Sequence, residues 1–252
     1  MTWSIVAREP ETGHLAIAVA TRFFAVGSIV PHIRGGIGAV ATQAFANPLY
    51  GIDGLAMLAT GRAPAEIVEA LSVRDDGREQ RQFHLIDSKG NNAAYTGQKC
   101  IDWAGHLIDD NVSVAGNMLA GPQVIAETLA TFRKTKGKPL AERLLEAMRA
   151  GEDAGGDKRG KQSAALVIHR DQDYAWLNIR VDDSADPLAE LERLYAVAQE
   201  RYLHVAETMP TRQNPSGMSD RREIDEKIAA LEAARIAGDR PSASRATTTQ
   251  PS

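Results

Sequence analysis

The sequence contains a single cysteine, Cys100, which excludes an internal disulfide framework and cannot build a zinc knuckle. Cys100 reads as a small buried hydrophobe, with a reactive thiol as the alternative. The longest clean apolar run is the six residues 15–20, far short of the roughly 18 that a membrane span needs. The N-terminus also lacks a basic-then-apolar export signal. No membrane partner is expected, and the location expected is cytoplasmic. Basic residues form no block that could track a phosphate backbone, and 29 Lys and Arg against 33 Asp and Glu give a net charge of −4, which argues against nucleic acid as a partner. The six histidines, at 14, 32, 84, 106, 169 and 204, include no i, i+4 pair beside a carboxylate, so no metal site is expected. The glycines around Gly35–Gly38 match neither a dinucleotide fingerprint nor a P-loop. No cofactor is expected, and there are no internal repeats.

What is present is a chain of 252 residues, 43% apolar, long enough for one substantial core plus a tail. Residues 2–8 and 14–20 are rich in β-formers around a Glu9-Pro10-Glu11-Thr12-Gly13 turn and predict a hairpin. Residues 37–43 predict a third strand of small side chains, followed by helices over 48–59 and 63–71. A second hairpin, 82–87 with 92–96, and a strand at 112–116 are expected to form a second sheet. Helices over 121–132 and 140–150 should lie side by side, the first with Pro122 at an early position and the second preceded by Pro139. Strands at 163–169 and 174–181 and a helix over 187–204 complete the pattern. It reads as α+β, with two stacked, mostly antiparallel sheets flanked by helices. The main domain is expected over 1–205. From 206 to 252 the composition reads as a polar tail with one short helix at about 220–237, offering an apolar stripe to a partner, and a disordered end.

Thr2 is the residue best placed to be a nucleophile. Methionine is normally trimmed before a residue this small, and the new terminus would carry a hydroxyl and a free α-amine on one residue. A terminal amine titrates at about 7.7–8.0, so at neutral pH it can take the hydroxyl proton as the oxygen attacks a carbonyl. The alternative is an ordinary N-terminus. A strand starting at Thr2 supplies the rigid base that such a nucleophile needs.

The context resembles the N-terminal-nucleophile (Ntn) hydrolase superfamily, and more closely the bacterial and archaeal family called domain of unknown function 1028. The resemblance rests on Thr-Trp-Ser-Ile-Val-Ala-Arg at 2–8, Ala-Thr-Arg-Phe-Phe-Ala-Val-Gly at 20–27 and Ala-Thr-Gln-Ala-Phe-Ala-Asn-Pro at 41–48. It continues with Ala-Tyr-Thr-Gly at 94–97, Gly-Asn-Met-Leu at 116–119, Gly-Gly-Asp-Lys-Arg-Gly-Lys-Gln-Ser-Ala at 155–164 and Arg-Val-Asp-Asp at 180–183. It covers about residues 2–205 and implies a four-layer αββα sandwich, as in proteasome β subunits and several amidases. Association into a homo-oligomer is also implied, since superfamily members commonly associate.

The resemblance assigns roles residue by residue. The second strand ends in Ala20 where proteasome subunits carry an acid, with Thr21 and Arg22 matching its neighbours. Arg34 is implied as a source of positive field near the nucleophile. Thr42 and Gln43 fall where a backbone N–H forms the oxyanion hole, and Asn117 where a serine would lie beside the amine. Asp157, in the loop 155–163, would orient the amine, and Arg22 with Arg159 would bind a substrate carboxylate. The catalytic set is therefore Thr2, Gln43, Asn117 and Asp157, and the substrate-binding set Thr21, Arg22, Arg34, Thr42 and Arg159. Each has a plainer alternative: a solvated loop arginine for Arg34, a turn residue for Asn117, a structural hydrogen bond for Gln43, a charged exposed loop for Asp157, and salt bridges to Asp182 and Asp183 for Arg22 and Arg159. Trp3, Phe23, Phe24 and Phe45 wall a pocket or fill the core. The expected function is hydrolysis of an amide bond in a small acylated, ureido or peptide-like substrate through an acyl-enzyme. The alternatives are a non-catalytic binding or assembly module with the same fold, and an acyltransferase using the same nucleophile.

Overall fold

The protein is described from a computed structural model covering residues 2–246. The chain divides into two compact units, Met1–Leu191 and Glu192–Ser252.

Among the described residues, the first unit contains ten strands in two antiparallel sheets. The six-stranded sheet comprises β1 (Thr2–Arg8), β2 (Leu15–Thr21), β7 (Trp103–Asp109), β8 (Val112–Leu119), β9 (Ser163–His169) and β10 (Leu177–Val181), in the order β10-β9-β2-β1-β8-β7. The four-stranded sheet comprises β3 (Pro31–Arg34), β4 (Gly38–Ala44), β5 (Arg81–Asp87) and β6 (Asn92–Thr96), in the order β3-β4-β5-β6. Between the sheets Val6, Leu15, Ile17 and Val19 meet Ala39, Ala41 and Ile86, all buried. Helices α1 (Pro48–Ala59) and α2 (Pro64–Val73) cover the outer face of the smaller sheet, where Tyr50, Leu58, Ile67 and Leu71 pack on Val40, Phe83 and Leu85. Helices α3 (Gln123–Lys134) and α4 (Leu140–Asp153) lie against each other and cover the outer face of the larger sheet. The result is the expected αββα sandwich, with both sheets buried on both faces. That double burial explains why β1, β2 and β9 read as near-continuous apolar runs.

Period-2 alternation sorts β1 between two environments. Thr2, Ser4 and Val6 face the other sheet, while Trp3 faces α4, where a Cβ added at Gly151 would lie 3.0 Å from its Nε1. Local signals fix the helix starts. Pro48 opens α1 with the Asn47 carboxamide accepting from the Leu49 N–H at 3.1 Å, and Pro64 opens α2.

Three expectations about the sheets are corrected. The strand expected at 37–43 is β4 and belongs to the smaller sheet, paired with β3 and β5. The strand expected at 112–116 is β8, longer than expected and paired with β1, so it belongs to the larger sheet. Strands β3 and β7 were not expected. Both are edge strands, and β3 opens on a proline, which is tolerated where the ladder has one open side.

The second unit holds the end of α5 (Pro187–Val197), a single π turn at Ala198–Tyr202, α6 (Leu203–Ala206) and α7 (Arg222–Ala237). The helix expected over 187–204 is thus interrupted by the π turn. Ile224 and Ile228 of α7 are buried. Of the end expected to be disordered, residues 247–252 lie outside the described residues. The preceding stretch is anchored, because Glu200 accepts from Ser242 Oγ and from the Ala243 N–H, both at 2.6 Å. No helix among the described residues is long and apolar enough to cross a membrane.

Candidate active site around Thr2

Strand pairing places Thr2 between Thr21 and Asn117. In the β1–β2 ladder Trp3 lies opposite Ala20, and in the β1–β8 ladder Thr2 lies opposite Asn117. The Thr2 hydroxyl donates to Thr21 Oγ1 at 3.2 Å, and the residue is 8% exposed. Thr21 shares the face of β2 that carries Ile17 and Val19 towards the other sheet. Ala20 points to the helix side, so an acid at Ala20 would not share a face with Thr2.

Two carboxamides converge on the Thr2 carbonyl. Gln43 of β4 donates through Nε2 at 3.4 Å, and Asn117 of β8 donates through Nδ2 at 3.3 Å. Gln43 Nε2 also donates to Gln82 Oε1 at 2.8 Å and to the Ala115 carbonyl at 3.2 Å, and Asn117 Nδ2 donates to Gln82 Oε1 at 3.0 Å. Ser4 donates to Gln43 Oε1 at 2.6 Å and lies 2.8 Å from His84 Nε2, while His84 Nδ1 lies 2.7 Å from Ser113 Oγ. Since the single Ser4 hydroxyl proton points at Gln43, His84 Nε2 must carry the proton and donate to Ser4. Nδ1 is then the acceptor for Ser113. His84 is wholly buried, and desolvation, helped by the nearby His106, pushes its pKa down to about 3. It is a neutral imidazole at any physiological pH.

A second cluster forms on the loop after α4. Asp157 lies opposite Leu119 at the end of β8. Its carboxylate accepts from the backbone N–H of Arg22 and of Arg159, both at 2.8 Å, and from Arg159 Nη2 at 3.3 Å. The Thr21 carbonyl accepts from the Gln162 N–H at 3.0 Å. The loop is therefore stitched to the end of β2 that carries Thr21 and Arg22. Gly155, Gly156 and Gly160 all have positive φ, which lets the loop turn tightly enough to do this.

Thr2, Gln43 and Arg159 open onto one cavity of about 500 Å³, walled otherwise by apolar residues from 23–30 and 44–48. The volume lies in the range of small-molecule sites. Ala44 is on that wall with φ of 67°, a left-handed conformation uncommon for a residue with a side chain. Backbone direction alternates along β4. The Thr42 N–H donates to the Val30 carbonyl on the β3 side, and the Phe45 N–H donates to the Gln80 carbonyl on the β5 side. The Ala44 N–H therefore faces the β3 side, beyond the last β3 pair, Pro31 with Ala41. Ala44 and Thr2 line the same cavity.

A family model described as a family of unknown function, DUF1028, matches residues 2–191. The chain belongs to the DUF1028 family. A crystal structure of the DUF1028 protein SPO2555 from Silicibacter pomeroyi is similar to it at a TM-score of 0.81 and 31% identity, covering 87% of this chain and 96% of that one. Anbu, the ancestral β-subunit from Yersinia bercovieri, aligns at a TM-score of 0.42 and 12% identity, covering 83% of this chain and 98% of that one. No curated protein matches the sequence.

Two residues assigned to the site lie elsewhere in this DUF1028 protein. Arg34 pairs with Asp173 at 3.2 Å on the surface and stands opposite Gly38 at the start of β4. Five residue steps lead along the strand from Gly38 to Gln43, about 17 Å at roughly 3.3 Å per residue. Thr42 is buried on the opposite face of β4 from Gln43, where its hydroxyl donates to the Asn47 carbonyl at 3.1 Å. With its N–H also taken by Val30, it has no group to offer a substrate. Thr2, Thr21, Gln43 and Asn117 form one hydrogen-bonded set, and Arg22, Asp157 and Arg159 form the second.

Of the aromatic residues, Trp3 is buried in the core, whereas Phe23 and Phe45 line the cavity at 57% and 68% exposure. Cys100 is half-buried and donates to the Arg81 carbonyl at 3.4 Å, and burial pushes its thiol pKa up, which disfavours the thiolate. The sequence reading missed Ser4, Gln82, His84 and Ala44. Ser4 alone had a signal, a hydroxyl on the same strand face as Thr2. No group of three or more His, Cys, Asp and Glu able to hold a metal occurs among the described residues.

Proposed function

We propose that this protein is an Ntn-type amidohydrolase in which Thr2, once the peptide bond preceding it is cleaved, attacks the carbonyl of a small acylated, ureido or peptide-like amide. The α-amine takes the hydroxyl proton, Oγ1 bonds to the carbonyl carbon, and the oxyanion is met by the Ala44 N–H. The proton then passes to the departing nitrogen as the C–N bond breaks. Water cleaves the resulting ester on Thr2 and releases the acid. Thr21 is placed to donate to Thr2 Oγ1 after its proton has left. Gln43 and Asn117 fix the Thr2 carbonyl, so the residue cannot swing away from the cavity. Asp157 holds the 157–162 loop beside Thr21, and Arg22 and Arg159 offer positive charge to a substrate carboxylate.

The observation that carries this reading is the convergence of Gln43 and Asn117 on the carbonyl of a threonine that lines a cavity of about 500 Å³. The test is intact-mass measurement of the purified protein, followed by labelling with a threonine-directed β-lactone beside a Thr2→Ala control. A mature terminus at Thr2 and labelling lost in Thr2→Ala are expected. A chain that retains residues before Thr2, or labelling indifferent to the substitution, overturns the reading.

A further inference from the structure

We infer that the cavity beside Thr2 receives the acyl half of the substrate, and that this half is an aryl or medium-length alkyl group bearing no positive charge. The inference rests on the amidohydrolase reading above and adds a substrate class to it.

The wall chemistry comes first. Val26, Ile29, Val30, Ala46 and the rings of Phe23 and Phe45 line the cavity, and Arg159 is the one charged side chain among the described lining residues. With no acidic group there, a cationic acyl chain would leave water and find no partner beside a guanidinium. An apolar chain is stabilised by every methylene it removes from water.

Phe23 and Phe45 are held where they stand although more than half exposed. Ser163 Oγ donates to the Phe23 carbonyl, and Arg81 Nη1 donates to the Phe45 carbonyl. The Arg81 guanidinium also lies over the Phe45 ring, 5.0 Å from its centroid, and is fixed by Asp75 at 2.9 Å. Large aromatic surfaces left facing solvent at a cavity mouth, and pinned there, mark a binding surface rather than core. Ala44, a non-glycine residue in left-handed conformation, lines the same cavity.

The order of bond breaking decides which half of the amide goes in. The amine departs first and water must take its place, so the amine side belongs towards solvent. The acyl group stays bonded to Thr2 and occupies the apolar cavity while water arrives. A carbonyl oxygen at the Ala44 N–H, itself on the cavity wall, puts the acyl carbon chain against Val30 and Ala46.

The experiment uses the full chain with Thr2 confirmed as its mature terminus by mass. It follows nitrophenolate release from p-nitrophenyl acetate, butyrate, hexanoate and 6-aminohexanoate, with intact mass reporting the acyl-enzyme. In each case Oγ1 of Thr2 bonds to the acyl carbon, its proton goes to the α-amine, and nitrophenolate leaves. Water then hydrolyses the threonine ester. In Thr2-dependent acylation kcat/KM should rise about fourfold per methylene, or roughly two-hundredfold from acetate to hexanoate. The 6-amino compound should fall back towards acetate. Ala46→Trp, which fills the cavity from a half-buried position, should flatten the slope.

Thr2-dependent acylation with no dependence on chain length, a preference for the amino compound, or a slope that survives Ala46→Trp overturns the acyl cavity and leaves the nucleophile standing. Failure of every ester to acylate Thr2 overturns both.

Discussion

Gln43 and Thr2 belong to different sheets, and the Gln43 carboxamide reaches across the sandwich to donate to the Thr2 carbonyl at 3.4 Å. The same nitrogen donates to Gln82 and to the Ala115 carbonyl, while its oxygen accepts from Ser4. One side chain therefore serves four partners, its two N–H groups shared among three acceptors, in a buried region beside the cavity.

Replacing Gln43 by Leu keeps volume but removes all four bonds. Several buried polar groups are left unpaired, and the expected loss is about 2–4 kcal/mol. In a chain of this size that lowers the melting temperature by roughly 4–16 °C. Labelling of Thr2 by a β-lactone should slow further than the stability loss explains, since the carbonyl of the proposed nucleophile loses one of its two carboxamide donors. Equal labelling rates in the folded variant and the parent would show that Gln43 only holds the sheets together.

His84 gives a pH dependence. Its folded pKa is about 3 because burial disfavours the charged ring. In the unfolded chain it titrates near the ordinary 6.5, so below that value only the unfolded state takes up the proton. The contribution to stability is complete above about pH 6.5. It is lost as pH falls towards 3, at about 1.4 kcal/mol per pH unit for one proton. Burial lowers the pKa of His32, His106 and His169 as well, and these act in the same direction. Urea melts at pH 7, 6, 5 and 4 should therefore show a shallower acid slope for His84→Gln than for the parent, by about one proton. Superimposable slopes would mean that His84 is charged or accessible in the folded protein.

Arg143 and Glu9 form a nearly enclosed ion pair at 2.6 Å, with the arginine also 4.0 Å from the centroid of the Phe132 ring. Removing only the acid strands a buried guanidinium. Glu9→Ala should cost about 3–5 kcal/mol, and Arg143→Met with Glu9→Gln together should cost less than Glu9→Ala alone. Chemical denaturation of the single and double variants measures both.

Gly151 sits in α4 directly behind Trp3. A methyl group there would lie 2.2 Å from Thr128 Oγ1 and 3.0 Å from Trp3 Nε1, with the Val124 carbonyl at 3.2 Å behind them. Gly151→Ala should destabilise by about 1–3 kcal/mol through overpacking, despite the better helix propensity of alanine. A shift in tryptophan fluorescence, read beside thermal melts, should accompany it. A stabilised variant would mean that the packing of α4 on β1 is looser than described.

The central strands and the helices were legible because their signals are local: apolar runs in β1, β2 and β9, and the prolines and Asn47 at helix starts. The edge strands were not. Trp103–Asp109 is half-exposed, with a Gly at 105 and charge at its end, and Pro31–Arg34 is four residues long and begins with Pro. Assignment of 112–116 to the wrong sheet has a related cause, since the pairing of β8 with β1 joins segments about 110 residues apart. At the candidate site, Thr2 was singled out from its position and residue type, and Thr21 through the family resemblance. Gln43 and Asn117 were singled out, but their carboxamides were not foreseen as meeting at the Thr2 carbonyl. Arg34 and Thr42 were misplaced because strand direction and face, rather than distance along the chain, decide what approaches Thr2. Gln82 and His84 act through bonds between sheets, which no window of sequence contains. The contribution of Ala44 is a backbone N–H, to which its residue identity is blind.

The polar chain from the Thr2 carbonyl through Gln43, Ser4 and His84 to Ser113 also bears on how the two sheets are indexed. Two purely greasy faces can slide by a residue pair and still find contacts, so such a sandwich tolerates several alignments of nearly equal energy. Here a slip of one pair would break at least four bonds and strand their atoms in the dry interior. The stack has a single allowed tooth-to-notch setting, and it is the setting that brings the end of β4, with its half-buried left-handed alanine, alongside the first residue of β1.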